Sequence, residues 1–237
     1  MGWIPSESNA FLYNPNLNSV YGKTLGPLPG FMGECAAQLD SSLGPDQFAE
    51  ATVASRGTPG LSAGNFSVSV AVRMTIDKVT GLISCYFIGF SYDGQFALSW
   101  EIGIRPGELF GAGTDFQRGD LAPRNVNFAP IPGDVIRVEA VGNAITGKFN
   151  GAVFFGPVVD LRLPTGQPGL EAYPEDMIFA DALQLTNFRC GELPTNRVST
   201  PLLDNVGVLP AQSSGDSGLS RPHTVPSTVV RSTRIRA

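Results

Sequence analysis

Charge is scarce in this chain. Only 16% of its 237 residues are charged, against about 25% in an average soluble domain. Histidine is scarcer still: the single one, His223, lies in a Ser-, Thr- and Pro-rich tail. A Ser–His–Asp or Cys–His nucleophile needs a rigidly placed base, and a low-complexity tail does not supply one. One histidine is too few for a His-rich metal site. Cys35, Cys85 and Cys190 form no close pair in sequence, so they spell neither a disulfide framework nor a zinc site. No apolar run approaches the ~20 residues of a membrane span. The stretch MGWIPSESNAF has neither the basic nor the apolar region of a secretory signal, so neither export nor a membrane is expected. No phosphate-binding loop or dinucleotide fingerprint occurs. Acids are missing from one end: none follows Asp216, whereas Arg221, Arg231, Arg234 and Arg236 do. The formal net charge is −5, so the body is acidic and its tail basic. An acidic body argues against nucleic acid as a partner, and the four arginines form a candidate assembly arm for an acidic neighbour.

Turn residues and alternation are abundant. Gly (28) and Pro (19) make up about a fifth of the chain, a composition that suits many short strands joined by turns. Residues 133–155, GDVIRVEAVGNAITGKFNGAVFF, read as three antiparallel strands. Gly142-Asn143 breaks the first from the second, and Asn150-Gly151 is a strong type I′ hairpin signal. Phe66, Val68, Val70, Val72, Met74 and Ile76 alternate with Ser67, Ser69, Ala71, Arg73 and Thr75, which predicts a strand with one face buried and one wet. Residues 82–92 are more uniformly apolar and predict a central strand. Asp93-Gly94 is a second hairpin turn, and Phe96, Leu98, Trp100, Ile102 and Ile104 alternate through the strand after it. Residues 47–54 read as a first long strand and 181–190 as a last one. In the last, the apolar phase slips between Leu185 and Phe188, which predicts a bulge. No helix and no internal repeat is predicted. The class is all-β, a two-sheet antiparallel sandwich. Residues 1–33 read as an irregular N-terminal arm, 34–192 as the domain, and 193–237 as an extended C-terminal arm.

The order of these segments resembles the concanavalin A-like lectin/glucanase superfamily, in particular its laminin-G-like jelly rolls. The resemblance spans roughly residues 45–190. It rests on Gly133-Asp134-Val135-Ile136-Arg137, on the Asn150-Gly151 hairpin and on the Gly166–Leu170 turn. It implies a jelly-roll β-sandwich with a concave face that often binds sugars. The same fold serves glycosidases, lectins, adhesion modules and phage or virus particle proteins, so it does not fix a function. The E-x-D-x-E strand of the laminarinase-like branch is absent. Glu171, Glu175 and Asp176 surround Pro174 and read as solvated loop acids. A glycosidase needs a spaced carboxylate pair, so no catalytic residue is predicted and the chain is expected not to be an enzyme. Laminin-G-like domains often bind calcium through loop aspartates. Asp115, Asp120 and Asp181 are the residues to examine, calcium is left open, and no metal ligand is assigned. Cys35 and Cys190 flank the domain, either bonded or as separate thiols.

Two functions fit. The first is a non-enzymatic structural component of a phage or virus particle, such as a capsid decoration or tail-associated protein. It would be assembled through its arms with other particle proteins or with copies of itself, and would be located in the virion. The alternative is a carbohydrate-binding or adhesion module using a concave sheet face, with Trp100, Tyr92, Tyr86 and Tyr173 as candidate aromatics. Period 2 sets Trp100 on the apolar face and Glu101 on the opposite one, so Trp100 reads as either core or sugar platform.

Overall fold

A computed structural model describes residues 2–6, 11–14, 16, 18–22, 35–56, 67–91, 94–104, 117–173 and 183–194. Among them there is no helix, hence none long and apolar enough to cross a membrane. There are fourteen strands: β1 (Gly2–Pro5), β2 (Phe11–Asn14), β3 (Ser19–Gly22), β4 (Cys35–Asp40), β5 (Gln47–Ser55), β6 (Ser67–Ile76), β7 (Ile83–Ser91), β8 (Phe96–Ile104), β9 (Gln117–Asp120), β10 (Val135–Val141), β11 (Ala144–Phe149), β12 (Ala152–Val159), β13 (Gln167–Tyr173) and β14 (Gln184–Glu192). They form two seven-stranded sheets. The first runs β1-β4-β13-β6-β7-β8-β9 and the second β12-β11-β10-β5-β14-β3-β2. This is the expected two-sheet antiparallel jelly-roll sandwich.

The hairpins follow their turn chemistry. Asn150 (φ 49°) and Gly151 (φ 81°) link β11 to β12, with Phe149 opposite Ala152. Both central residues thus have the positive φ of a type I′ turn. Gly142 (φ 54°) turns β10 into β11, pairing Val141 with Ala144. The bulge expected in the last strand is present: β14 shifts register against β5 between Thr186 and Arg189, and Asn187 has φ 51°.

Between the sheets, Val68, Val70 and Val72 of β6, Ile88 and Phe90 of β7 and Leu98 of β8 join the inward residues of the second sheet in one buried cluster. Burying each such side chain contributes about 1.5–3 kcal/mol. Three strands come from the N-terminal stretch that reads as an arm. β1 pairs with β4 in the first sheet, and β2 with β3 in the second. Trp3 packs on Phe188 with ring centroids 5.2 Å apart. The C-terminal arm lies outside the described residues beyond Pro194, and with it Arg221, Arg231, Arg234 and Arg236.

One expectation is corrected. The outward face of β6 is not wet: from Val68 to Met74 every residue is buried. The outward residues are small or apolar, and they join a second buried cluster of Ala36, Ala71, Met74, Ile83, Cys85 and Phe87. The charge in this strand, Arg73, leaves the alternation altogether. It adopts φ 51°, and the register of β6 on β7 shifts between Val72 and Thr75. Its side chain is 2% exposed. Nε donates to Pro45 O at 3.1 Å, Nη1 to Leu163 O at 3.0 Å and Nη2 to Gly142 O, with Asp46 at 4.0 Å. Burial lowers the Arg73 pKa from its usual value, with Tyr86 and Asp46 opposing that shift. Replacement by methionine keeps much of the volume but leaves the buried Leu163 carbonyl without its donor and removes the bonds that hold Pro45 and Gly142. We expect Arg73→Met to cost on the order of 3 kcal/mol, read as a lower urea midpoint at unchanged m-value.

Candidate functional site

The first sheet carries a trough on the face turned away from the second sheet. Three strands build its floor. Ser67 and Ser69 of β6 lie opposite Ser91 and Gly89 of β7, and Gly89 and Phe87 lie opposite Ala97 and Ser99 of β8. Apart from Phe87, the floor positions carry small side chains, which leave the surface low. At Gly89 the need is absolute: a side-chain carbon would collide with Ser69 Oγ and come within 2.8 Å of the Val68 carbonyl. Tyr173 of β13 stands on one side; Gln95, Arg118 and Arg124 stand on the other. Neighbouring strands lie ~4.8 Å apart, so the four steps from β13 to β9 span about 19 Å. The enclosed volume is 270 Å³, just below the usual ~300–1,000 Å³ of ligand pockets.

Polar groups in the trough are fixed by one another. Arg124 donates through Nε and Nη2 to the two carboxylate oxygens of Asp120, at 3.2 and 3.0 Å, and through Nη1 to Gln95 Oε1. Ser99 Oγ donates to Asp120 at 2.7 Å. Burial pushes the Asp120 carboxyl upward, but the bonds from Arg124 and Ser99 outweigh it and leave the pKa below its usual value. The Arg118 guanidinium carbon sits 5.1 Å from the centre of the Phe87 ring, within cation–π range. Ser69 is 1% exposed, and its hydroxyl has no hydrogen-bond partner among the described residues.

Next to the trough lie two acids the sequence treats differently. Glu101 faces outward from β8, as the alternation predicts. Glu171 is not a solvated loop acid: it belongs to β13, opposite Ser69, and has no exposure. The strand continues past this position to Tyr173. Cys85 Sγ donates to Glu101 Oε1 at 3.4 Å. Ligand atoms of Cys85, Glu101 and Glu171 lie within 4.8 Å of one another, all buried. These three side chains are the types that hold a metal ion, although a thiol suits zinc better than calcium, which takes six to eight oxygens. Of the aspartates examined for calcium, Asp115 and Asp181 lie outside the described residues, and Asp120 is occupied by Arg124 and Ser99.

The candidate aromatics do not gather. Tyr173 lines the trough. Tyr92 lies outside the described residues. Tyr86 is wholly buried on the opposite, inner side, donating to Asp160 Oδ1 at 2.6 Å and accepting from Leu163 N at 2.9 Å. Trp100 also points inward, half-buried, with the Arg162 guanidinium carbon 4.1 Å from its ring centre. Period 2 already separated Trp100 from the outward face of β8. The signal for the trough was the run of outward serines, alanines and glycine on three adjacent strands. All three cysteines are free thiols.

No protein-family model matches the chain, and no curated protein matches its sequence. Solved structures do. A carbohydrate-binding module, CBM66, from Bacillus subtilis is 12% identical, covers 81% of this chain and 96% of its own, and superposes with a TM-score of 0.52. A legume lectin-like domain from Entamoeba histolytica is 10% identical, with coverages of 81% and 90% and a TM-score of 0.41. Alginate lyase A1-II′, of polysaccharide lyase family 7, is 12% identical, with coverages of 79% and 86% and a TM-score of 0.43. At these identities the likeness shows the fold alone, and only the first score is high enough to carry that argument.

The Tyr86 environment makes a pH prediction. Burial, reinforced by the bond to Asp160, pushes its pKa from 10.0 up to about 12. The native state therefore keeps the proton longer than the unfolded chain. Its contribution to stability is whole below pH 10 and is lost as pH rises toward 12. Urea midpoints across that window should fall more steeply for the wild type than for Tyr86→Phe. The variant should itself lose about 1–3 kcal/mol at neutral pH, because the buried Leu163 N–H loses its acceptor while Asp160 keeps only its bonds from Arg162.

Proposed function

We propose that this chain is a carbohydrate-binding module whose ligand lies in the outer trough of the first sheet, and that it binds without turning its ligand over. The lining of the trough carries this reading. It offers serine hydroxyls, one amide, guanidinium groups and a tyrosine ring over a floor of small residues. Such a surface presents donors and acceptors to sugar hydroxyls and apolar carbon to sugar faces. A buried hydroxyl without a partner costs about 1–3 kcal/mol, and a ligand hydroxyl at Ser69 would recover it. The fold it shares with a carbohydrate-binding module supports the same reading, as analogy only. Of the described carboxylates bordering the trough, Glu101 and Glu171 have no exposure and Asp120 is held by Arg124 and Ser99, which favours binding over glycosidic chemistry.

The particle-component reading leaned on two terminal arms. Residues 2–22 supply strands to both sheets, and the tail lies outside the described residues, so the carbohydrate reading is the better supported. The two are compatible, since a decoration protein that binds glycans serves attachment.

Ala97 sits half-buried on the floor between Gly89 and the Arg118 side, and a ring placed there fills the trough. On a glycan array, Ala97→Phe should lose the wild-type signals by about tenfold or more, a change worth ~1.4 kcal/mol, with its far-UV circular dichroism intact. Equal binding by the two proteins would place the ligand elsewhere. Prolonged incubation with bound polysaccharides should release no new reducing or unsaturated ends; their appearance would make the chain an enzyme.

A further inference from the structure

One wall of the trough is built from guanidinium groups, and their hydrogen-bond accounting points to the kind of ligand. Arg124 has five N–H donors. Asp120 takes one from Nε and one from Nη2, and Gln95 takes one from Nη1. One N–H on each terminal nitrogen is left to offer, on a side chain still 43% exposed. Donors on the two neighbouring nitrogens of a planar fork match the paired oxygens of a carboxylate or sulfate. Arg118 adds a second guanidinium, steadied by the Phe87 ring. Asp120 is bonded to Arg124 and Ser99 and also lies in the field of Arg118, so two guanidinium groups share one carboxylate there. Among the described residues, no carboxylate lines the trough. The wall is cationic on a chain whose formal net charge is −5.

We infer that the ligand is an anionic saccharide whose carboxylate or sulfate group meets the Arg118–Arg124 wall while its ring lies on the Ser69–Gly89–Ala97 floor. This rests on the carbohydrate reading above. Asp120 is then a positioning residue: it aims the Arg124 fork without touching the ligand.

Binding of the full chain is measured by calorimetry against polygalacturonate, chondroitin sulfate and neutral laminarin, at low and raised salt. The expected result is binding to one or both acidic polymers, weakened by salt, with laminarin at least tenfold poorer. The stronger acidic polymer identifies carboxylate or sulfate as the anchoring group. Arg118→Gln and Arg124→Gln should each weaken acidic-polymer binding about tenfold, as loss of a charge-assisted fork does. Asp120→Asn should weaken it less, with a salt dependence at least as steep as the wild type's because a competing negative charge is gone, whereas the two arginine variants become shallower. The tail arginines are a second source of polyanion binding, so the variant with Arg221, Arg231, Arg234 and Arg236 all changed to Gln should keep its affinity within about twofold. Loss of binding in that variant alone would move the anion contact to the tail and overturn the inference. Equal affinity for laminarin, unchanged in both arginine variants, would also overturn it and leave the carbohydrate reading standing. No heat with any of the three polymers, together with an empty glycan array, would remove both. Thermal unfolding of each variant verifies that the fold is retained.

Discussion

A buried guanidinium governs how the first sheet presents its two faces. Arg73 sits in the middle of the sheet order, on β6, and a cation there is tolerable only with its donors satisfied. It reaches them by abandoning strand geometry: φ turns positive and the register slips. Carbonyls from three separate segments, at Pro45, Gly142 and Leu163, then close around it. Those segments precede β5, join β10 to β11 and lead into β13, so one side chain ties both sheets together at one end. The slip also decides which residues of β6 face outward. Before it, Ser67, Ser69 and Ala71 do; after it, Met74 and Ile76 do.

The outer face consequently has two characters. Beyond the slip it is apolar, built from Met74, Ile76, Ile83 and Ile104. Before the slip it is low and hydroxyl-rich, which makes the trough. Cys85, Glu101 and Glu171 lie along the border between the two, buried against one another. A sheet face made of small residues gives up the packing energy that larger side chains would contribute, and Ser69 leaves a hydroxyl unanswered. Such local concessions are expected where a surface is shaped for a ligand rather than for the fold.

Much of this was legible in the residues. Hairpins announced by Asn150-Gly151 and Gly142-Asn143 form as read, because turn chemistry is local. The alternation through β8 correctly set Trp100 inward and Glu101 outward. The trough was not found, because its floor comes from serines, alanine and glycine on three strands and exists only once register is known. Choosing aromatics by residue type selects Tyr86, whose uniformly apolar strand carries no alternation to tell its inner face from its outer one. β9 was missed because Gln117–Asp120 is polar throughout and carries no period. The wet face expected for β6 failed at Arg73, where a single backbone slip changes which side every later residue faces. Glu171 was assigned to a loop by its neighbours' composition, although Pro174 lies beyond the end of its strand.

The claim that the outer trough is where this protein meets a glycan has a direct test. Backbone amide shifts would be assigned by NMR and followed as an acidic oligosaccharide is titrated in. The account predicts perturbations concentrated at Ser69, Gly89, Ala97, Ser99 and Arg118. Shifts gathered instead on the outer face of the second sheet, where the Arg137 guanidinium carbon lies 3.8 Å from the Phe48 ring centre, or none at saturating ligand, would contradict it.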